Sequence, residues 1–136
     1  MPREREEIIV SSFVRKTKRE RLISLINKSK ARQKFCRELA DASVFEPNVV
    51  VTIPASLQSF AAITRALRSR GAGPGCYLIS ENPRLDAKEL PIDEAVAMVV
   101  GHGFATIISC IPGSLAFFEG EGFSNRFILQ TRVSSH

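Results

Sequence analysis

Three acidic residues lie close together in one short segment, with basic and amide side chains between them. Glu81, Asp86 and Glu89 fall within nine residues. Two carboxylates facing a cleft could bind a divalent cation or act as general acid and base, and the neighbouring cations could receive an anionic group. Alternating charges are equally typical of a solvated loop. The candidate ligand-binding residues, including a serine at an expected helix start, are Ser56, Glu81, Asn82, Arg84, Asp86 and Lys88.

The cysteines and histidines do not form an obvious catalytic or metal-binding set. Cys110 and His102 are eight residues apart, which is about 26 Å along an extended strand, so their side chains cannot meet there. An odd number of cysteines without C-x-x-C spacing argues against a disulfide framework and against zinc. Apolar neighbours favour inert, buried thiols. We therefore expect no catalytic dyad, no metal and no cofactor, and we expect reduced thiols in the cytoplasm.

The positive charge is concentrated at the start of the chain. Residues 1–40 hold twelve Lys/Arg and five Asp/Glu, whereas residues 41–136 hold seven and nine. Such a segment could contact a polyanion or an acidic protein surface, although no helix-turn-helix or RNP motif accompanies it, and a solvated helix face is the alternative. The candidate nucleic-acid-binding residues are Arg15, Lys18, Arg19, Arg21, Lys28, Lys30, Arg32 and Lys34.

Two helices are predicted in this basic segment. Residues 17–43 have helical spacing of apolar residues, Thr17 and Glu20 have capping-box spacing, and Asn27–Ser29 could divide the helix in two. The apolar residues between 8 and 14 fit either a strand or a helical turn.

Alternating strands and helices are predicted after residue 48. A strand at 49–53 precedes a helix at 56–70, capped by Ser56 and ended by Gly71, and a second strand covers 75–80. A helix then begins at Pro91, and three strands joined by tight turns, one at Pro112-Gly113, follow from Phe104.

The order of these elements predicts where a site would form. A strand–helix–strand unit normally has parallel strands, and the connection from 80 to 104 also contains a helix. Three strands would then point the same way, and their carboxyl ends would form the edge at which open sheets bind ligands. That edge would gather Glu81–Glu89 with Ser56, Gln58, Ser109, Cys110 and the Pro112-Gly113 turn. The glycine-rich 71–75 follows a helix, the reverse of a phosphate loop.

We thus expect one α/β domain over residues 1–136, with a basic helical segment at 1–40 and a sheet-forming core at 48–132. The fold has a β-α-β-α core, two N-terminal helices and a C-terminal antiparallel β-meander on a mixed sheet. No apolar run approaches the roughly 20 residues of a membrane span. The favoured function is a small intracellular binding or accessory protein, self-associating as a homo-oligomer, rather than an enzyme. The alternatives are a weak, sequence-independent nucleic-acid binder and a small-ligand enzyme at the Glu81–Glu89 loop.

Overall fold

The protein is an α/β domain in three layers, as seen in a computed structural model that describes residues 2–121 and 125–131. Three helices cover one face of a six-stranded sheet and two helices cover the other. In chain order the elements are α1 (Pro2–Phe13), α2 (Lys16–Ile26), α3 (Arg32–Leu39), β1 (Val50–Thr52), α4 (Phe60–Ser69), β2 (Gly75–Ser80), β3 (Glu89–Pro91), α5 (Ile92–Val99), β4 (Thr106–Ile111), β5 (Leu115–Glu119) and β6 (Arg126–Gln130).

The predicted α/β class and single domain are confirmed, and no helix in the described ranges is long and apolar enough to cross a bilayer. The expected end of the core at residue 132 lies outside the described residues.

Three helices, rather than the predicted two, precede the sheet. The undecided stretch from residue 8 to 14 belongs mostly to α1, where Ile9, Val10 and Phe13 are almost completely buried. These spacings place all three on one helical face, which packs on the sheet. The predicted capping box is wrong, because Thr17 lies inside α2, whose N-cap is Arg15.

The sheet differs from the expected mixed sheet because every neighbouring pair of strands is antiparallel. Its order is β1-β6-β5-β4-β2-β3. Along this order β1 and β2 point the same way, as expected, but three strands separate them. β4 runs opposite to β2, so the prediction of three strands with one direction was wrong.

The strand β3 explains that error. Residues 81–88 form the turn of a hairpin, and Glu89–Pro91 pairs antiparallel with the first half of β2. The chain is therefore returned to the start of β2, where the Ile92 N–H donates to the Pro74 carbonyl at 2.8 Å. α5 then carries it back, and β4 begins beside the end of β2, with Thr106 opposite Ser80. A three-residue strand is too short to show an alternating pattern.

The C-terminal meander is confirmed. β4, β5 and β6 are consecutive antiparallel neighbours. The β4–β5 turn has Pro112 and Gly113 at its centre, with Gly113 at φ 74° and the Ser114 N–H donating to the Ile111 carbonyl at 3.0 Å. These features are those of a type II turn. Phe117 and Phe118 point to opposite faces, and both are buried within the protomer.

The two helices on the other face begin and end near the predicted positions. α4 is capped by Ser59, whose hydroxyl accepts the Ala62 N–H, and not by Ser56. Gly71 ends it with φ 106°. Pro91 directly precedes α5, as predicted for a helix start.

Candidate functional site

An ion network joins the basic helices to the acidic loop, two regions that the sequence suggested as separate sites. Arg32 of α3 binds Asp86 through Nε at 2.7 Å and Nη2 at 2.8 Å. Its Nη1 donates to Glu6 of α1 at 2.6 Å, and the Tyr77 hydroxyl on β2 also donates to Glu6 at 2.6 Å. Four separate elements are therefore held together by one guanidinium and one phenol.

The network is buried enough for its charges to depend on each other. The Glu6 side chain is only 3% exposed. Burial disfavours the charged form of Arg32, but the hydrogen bonds that Arg32 donates to Asp86 and Glu6 more than offset this effect and raise the Arg32 pKa. Burial, together with the hydrogen bond to Glu6, also raises the pKa of Tyr77. The guanidinium thus stays charged, and the phenol stays protonated as a donor.

The acidic loop is a compact turn rather than an extended connection. Asp86 accepts the Ser80 N–H at 3.0 Å, so the loop folds back on the end of β2. The Asn82 carbonyl accepts two later N–H groups of the loop, and its side chain accepts the Arg84 N–H at 3.0 Å. Ala87 closes the turn with φ 60°, an unusual conformation for a residue with a Cβ. The loop is therefore ordered by its own short-range polar contacts.

The network forms one wall of a cleft between α3 and this loop, which we call the α3 cleft. It encloses about 300 Å³. A wider depression of about 550 Å³ adjoins it, and both are lined by Arg37 and Glu81. The residues of the α3 cleft are Arg32, Gln33, Cys36, Arg37, Ser80, Glu81, Pro83 and Asp86.

Arg37 and Glu81 are the two groups at the junction of these depressions. Arg37 is exposed. Within residues 2–121 and 125–131, its guanidinium makes no hydrogen bond or ion pair with another side chain. Partial burial, the hydrogen bond to Glu121 and the charge of Glu121 raise the pKa of Glu81, while the charge of Arg37 lowers it. The junction therefore combines an exposed cation with a carboxyl group whose ionised form is disfavoured by its surroundings.

Cys36 also lines the α3 cleft and is a slow nucleophile near neutral pH. Burial, and then the charge of Asp86, raise its pKa to about 12. A thiol reacts through its thiolate, which is scarce about five pH units below the pKa. No cluster of three or more His, Cys, Asp or Glu side chains is placed to hold a metal ion within the described ranges. The charged and polar side chains that line the cleft suit it to recognising charged and hydrogen-bonding groups.

The structure brings some of the predicted ligand-binding residues together and separates others. Glu81 and Asp86 line the α3 cleft, and Asn82 shapes its loop, whereas Arg84 and Lys88 are exposed and do not line it. Ser56 follows β1, four strand positions from β2, which is about 19 Å across the sheet.

Other residues expected at the same edge lie at the opposite end of the sheet. Because β4 is antiparallel to β2, Ser109 and Cys110 lie beside the start of β2, away from the acidic loop. The sequence also gave no signal for Glu6, Tyr77 or Arg37, because long-range contacts alone select them.

The predicted nucleic-acid-binding residues fall into two groups. The four arginines are engaged: Arg15 Nε donates to the Ser43 carbonyl, Arg19 Nε donates to the Val14 carbonyl, Arg21 pairs with Glu38, and Arg32 belongs to the network. The four lysines, Lys18, Lys28, Lys30 and Lys34, are exposed on α2, α3 and their connection.

Comparisons with family models, with curated proteins and with solved structures found no match.

Proposed function

We propose that this protein binds a small polar ligand with an anionic group in the α3 cleft, as a binding or accessory protein rather than an enzyme. The observation that carries the proposal is the exposed Arg37 guanidinium beside Glu81, at the junction of two depressions. A planar guanidinium favours carboxylates and phosphates, because its donors match their paired oxygens. Glu81 would accept a hydrogen bond from an amine or hydroxyl of the same ligand.

The rigid wall of the cleft supports binding. Arg32 is held by three hydrogen bonds to two carboxylates. A wall that is fixed before binding reduces the ordering that a ligand must impose. The odd number of cysteines, all free, supports a reducing compartment such as the cytoplasm.

A thermal-shift screen tests this function. The probes are α-amino acids, dicarboxylates, phosphomonoesters and nucleoside phosphates, each at millimolar concentration. A ligand at about 100 times its Kd stabilises the folded state by about 2.7 kcal/mol, which is a shift of several degrees for a domain of this size.

The matched variants are Arg37→Gln and Arg65→Gln. Arg65 is also an exposed helical arginine, but it lies on α4, across the sheet. We expect the shift to disappear in Arg37→Gln and to persist in Arg65→Gln. An equal shift in both variants, or no shift with any probe, contradicts the proposal.

A second candidate function is weak polyanion binding, favoured by the four exposed lysines on the α2–α3 surface. Changing Lys18, Lys28, Lys30 and Lys34 together to Gln leaves the packed faces of both helices intact. If these lysines contact phosphates, retention on an anionic polymer falls, and the slope of log affinity against log salt becomes shallower by about 0.7–0.9 per lost contact. Unchanged retention dismisses this candidate. Deleting residues 1–40 is not a usable test, because α1–α3 supply much of one core.

A further inference from the structure

Two of the three cysteines lie side by side at the end of the sheet opposite the α3 cleft. Cys76 is the second residue of β2, and Cys110 is near the end of β4. The neighbouring residues Tyr77 and Ser109 are direct partners in the β2–β4 register. Both cysteines pack against the hydrophobic cluster beneath α4 and α5. They are therefore on adjacent strands and on the same face.

The hydrogen-bond pattern of β2 brings the two side chains close together. The Leu78 N–H donates to the Lys88 carbonyl and the Leu78 carbonyl accepts the Ala87 N–H, so Leu78 directs its backbone groups away from β4. Backbone groups alternate along a strand, so those of Cys76 also point to β3. Extending the Tyr77–Ser109 register by one residue places Cys76 opposite Cys110, at a position without hydrogen bonds between the two strands.

Opposed residues at such positions have Cα atoms about 4.5 Å apart and closely spaced side chains. Disulfides span Cα separations of about 4.4–6.8 Å. A bulge in β4 between Ser109 and Ile111 leaves Cys110 on the same face as Cys76. Burial, and then the charge of Cys76, raise the pKa of Cys110 to about 12, which is a second sign that the thiols are near each other.

A cavity of about 360 Å³ adjoins the two cysteines, and it is also lined by Arg5 and Glu89, whose side chains form an ion pair at 3.0 Å. Cys110 is half-buried, and the Cys76 Sγ donates to the Leu90 carbonyl at 3.3 Å. Cys36 is on α3, on the other face of the sheet, and cannot contact either thiol.

We propose that Cys76 and Cys110 form a reversible cross-strand disulfide when the protein meets hydrogen peroxide. One thiolate attacks a peroxide oxygen and breaks the O–O bond, which gives a sulfenic acid and, after protonation, water. The second thiolate attacks that sulfur, forms the S–S bond and releases the oxygen as a second water. The two thiols lose two electrons and two protons in total, and the hydrogen peroxide is reduced to two waters.

The rate of oxidation depends on the pKa values of the two thiols. Burial raises the pKa of Cys76 to about 11, and that of Cys110 is also raised. The thiolate fraction, and with it the rate, rises about tenfold per pH unit below these values. Oxidation is therefore expected to be slow near neutrality and faster in mildly alkaline buffer.

The test is to treat the full chain with hydrogen peroxide, unfold it, alkylate the free thiols and weigh it. We expect one alkylated cysteine instead of three, and a non-reduced digest containing a Cys76–Cys110 peptide pair lighter than the two separate peptides by two hydrogens. Dithiothreitol should restore all three thiols. Cys36→Ala should still form the bond, and Cys110→Ala should not.

Three results would overturn the proposal: three alkylatable thiols after peroxide, a bond that involves Cys36 or a second molecule, or sulfinic acid in place of the disulfide. The peptide map of the unmodified protein decides the matter even if Cys110→Ala does not fold.

Discussion

Replacing Arg32 by methionine tests whether the ion network is a structural requirement of the fold. Methionine keeps the unbranched stem and its helix propensity, but it removes three hydrogen bonds from two carboxylates. Glu6, only 3% exposed, then keeps the Tyr77 hydroxyl as its remaining hydrogen-bond partner in the network. Leaving a buried charge without its counter-charge costs about 3–5 kcal/mol.

That loss is a large part of the 5–15 kcal/mol by which a domain is normally stable. We expect the urea midpoint, followed by far-UV circular dichroism, to fall strongly in Arg32→Met with little change in the slope of the transition. The control is Arg68→Met, which breaks an exposed pair with Asp93 whose side chains are 53% and 67% exposed. Exposed pairs contribute up to about 1 kcal/mol.

A double-mutant cycle separates the charge effect from lost packing. Adding Glu6→Gln to Arg32→Met removes the more deeply buried of the two uncompensated charges. The double variant should therefore be more stable than the sum of the single losses predicts, by more than about 1 kcal/mol. The reasoning is refuted if Arg32→Met loses no more stability than Arg68→Met, or if the two changes at the network are additive.

Three other predictions concern single residues. Glu81→Gln should raise the free energy of unfolding at pH 7, because burial and Glu121 raise the pKa of Glu81 and so disfavour its ionised form in the folded state. This gain should shrink as the pH falls toward 4, where the carboxyl group is protonated in both states. Glu119→Gln should lower the thermal midpoint and cost about 2–3 kcal/mol, because the buried carboxylate accepts from Arg126 at 2.7 Å and from a backbone N–H. Gly113→Ala should cost about 1–2 kcal/mol in urea unfolding, because φ is 74° and the new Cβ would lie 3.2 Å from side chains of α1.

Matched controls make these predictions decisive. Glu20→Gln changes an exposed glutamate of α2 and should show no comparable pH-dependent gain. Gly73→Ala places a Cβ where nothing lies within 4 Å, so it should be neutral or slightly stabilising. The explanations for Glu81 and Gly113 are wrong if each variant has the same unfolding free energy as its control. The explanation for Glu119 is wrong if Glu119→Gln has the same thermal midpoint as the unmodified protein.

Local signals predicted the elements whose patterns are complete within a few residues. Examples are the strand at 75–80, the glycine that ends α4 and the Pro112-Gly113 turn. Each of these elements is specified by the residues within its own segment. A capping signal was less reliable where two nearby residues could supply it. Ser56 and Ser59 can both cap a helix, and in the folded protein Ser59 is the N-cap of α4.

Strand direction could not be predicted in the same way. The rule for parallel crossovers assumes that a helix is the only element between two strands, and the three residues of β3 break that assumption. Part of the candidate site was predicted from the sequence, because Glu81 and Asp86 belong to a cluster of charged residues that are close together along the chain. Their partners Arg32, Glu6 and Arg37 are distant in sequence, and only the packing of α1 and α3 on the sheet places them there.

Both outermost strands of the sheet, β1 and β3, are only three residues long. Few main-chain donors and acceptors are therefore open to an incoming chain, and an added strand would gain little from them. If copies of this protein assemble, we expect the contact to use side chains on the helical layers. Growth of the sheet into fibrils by adding strands at its margins would be correspondingly hindered.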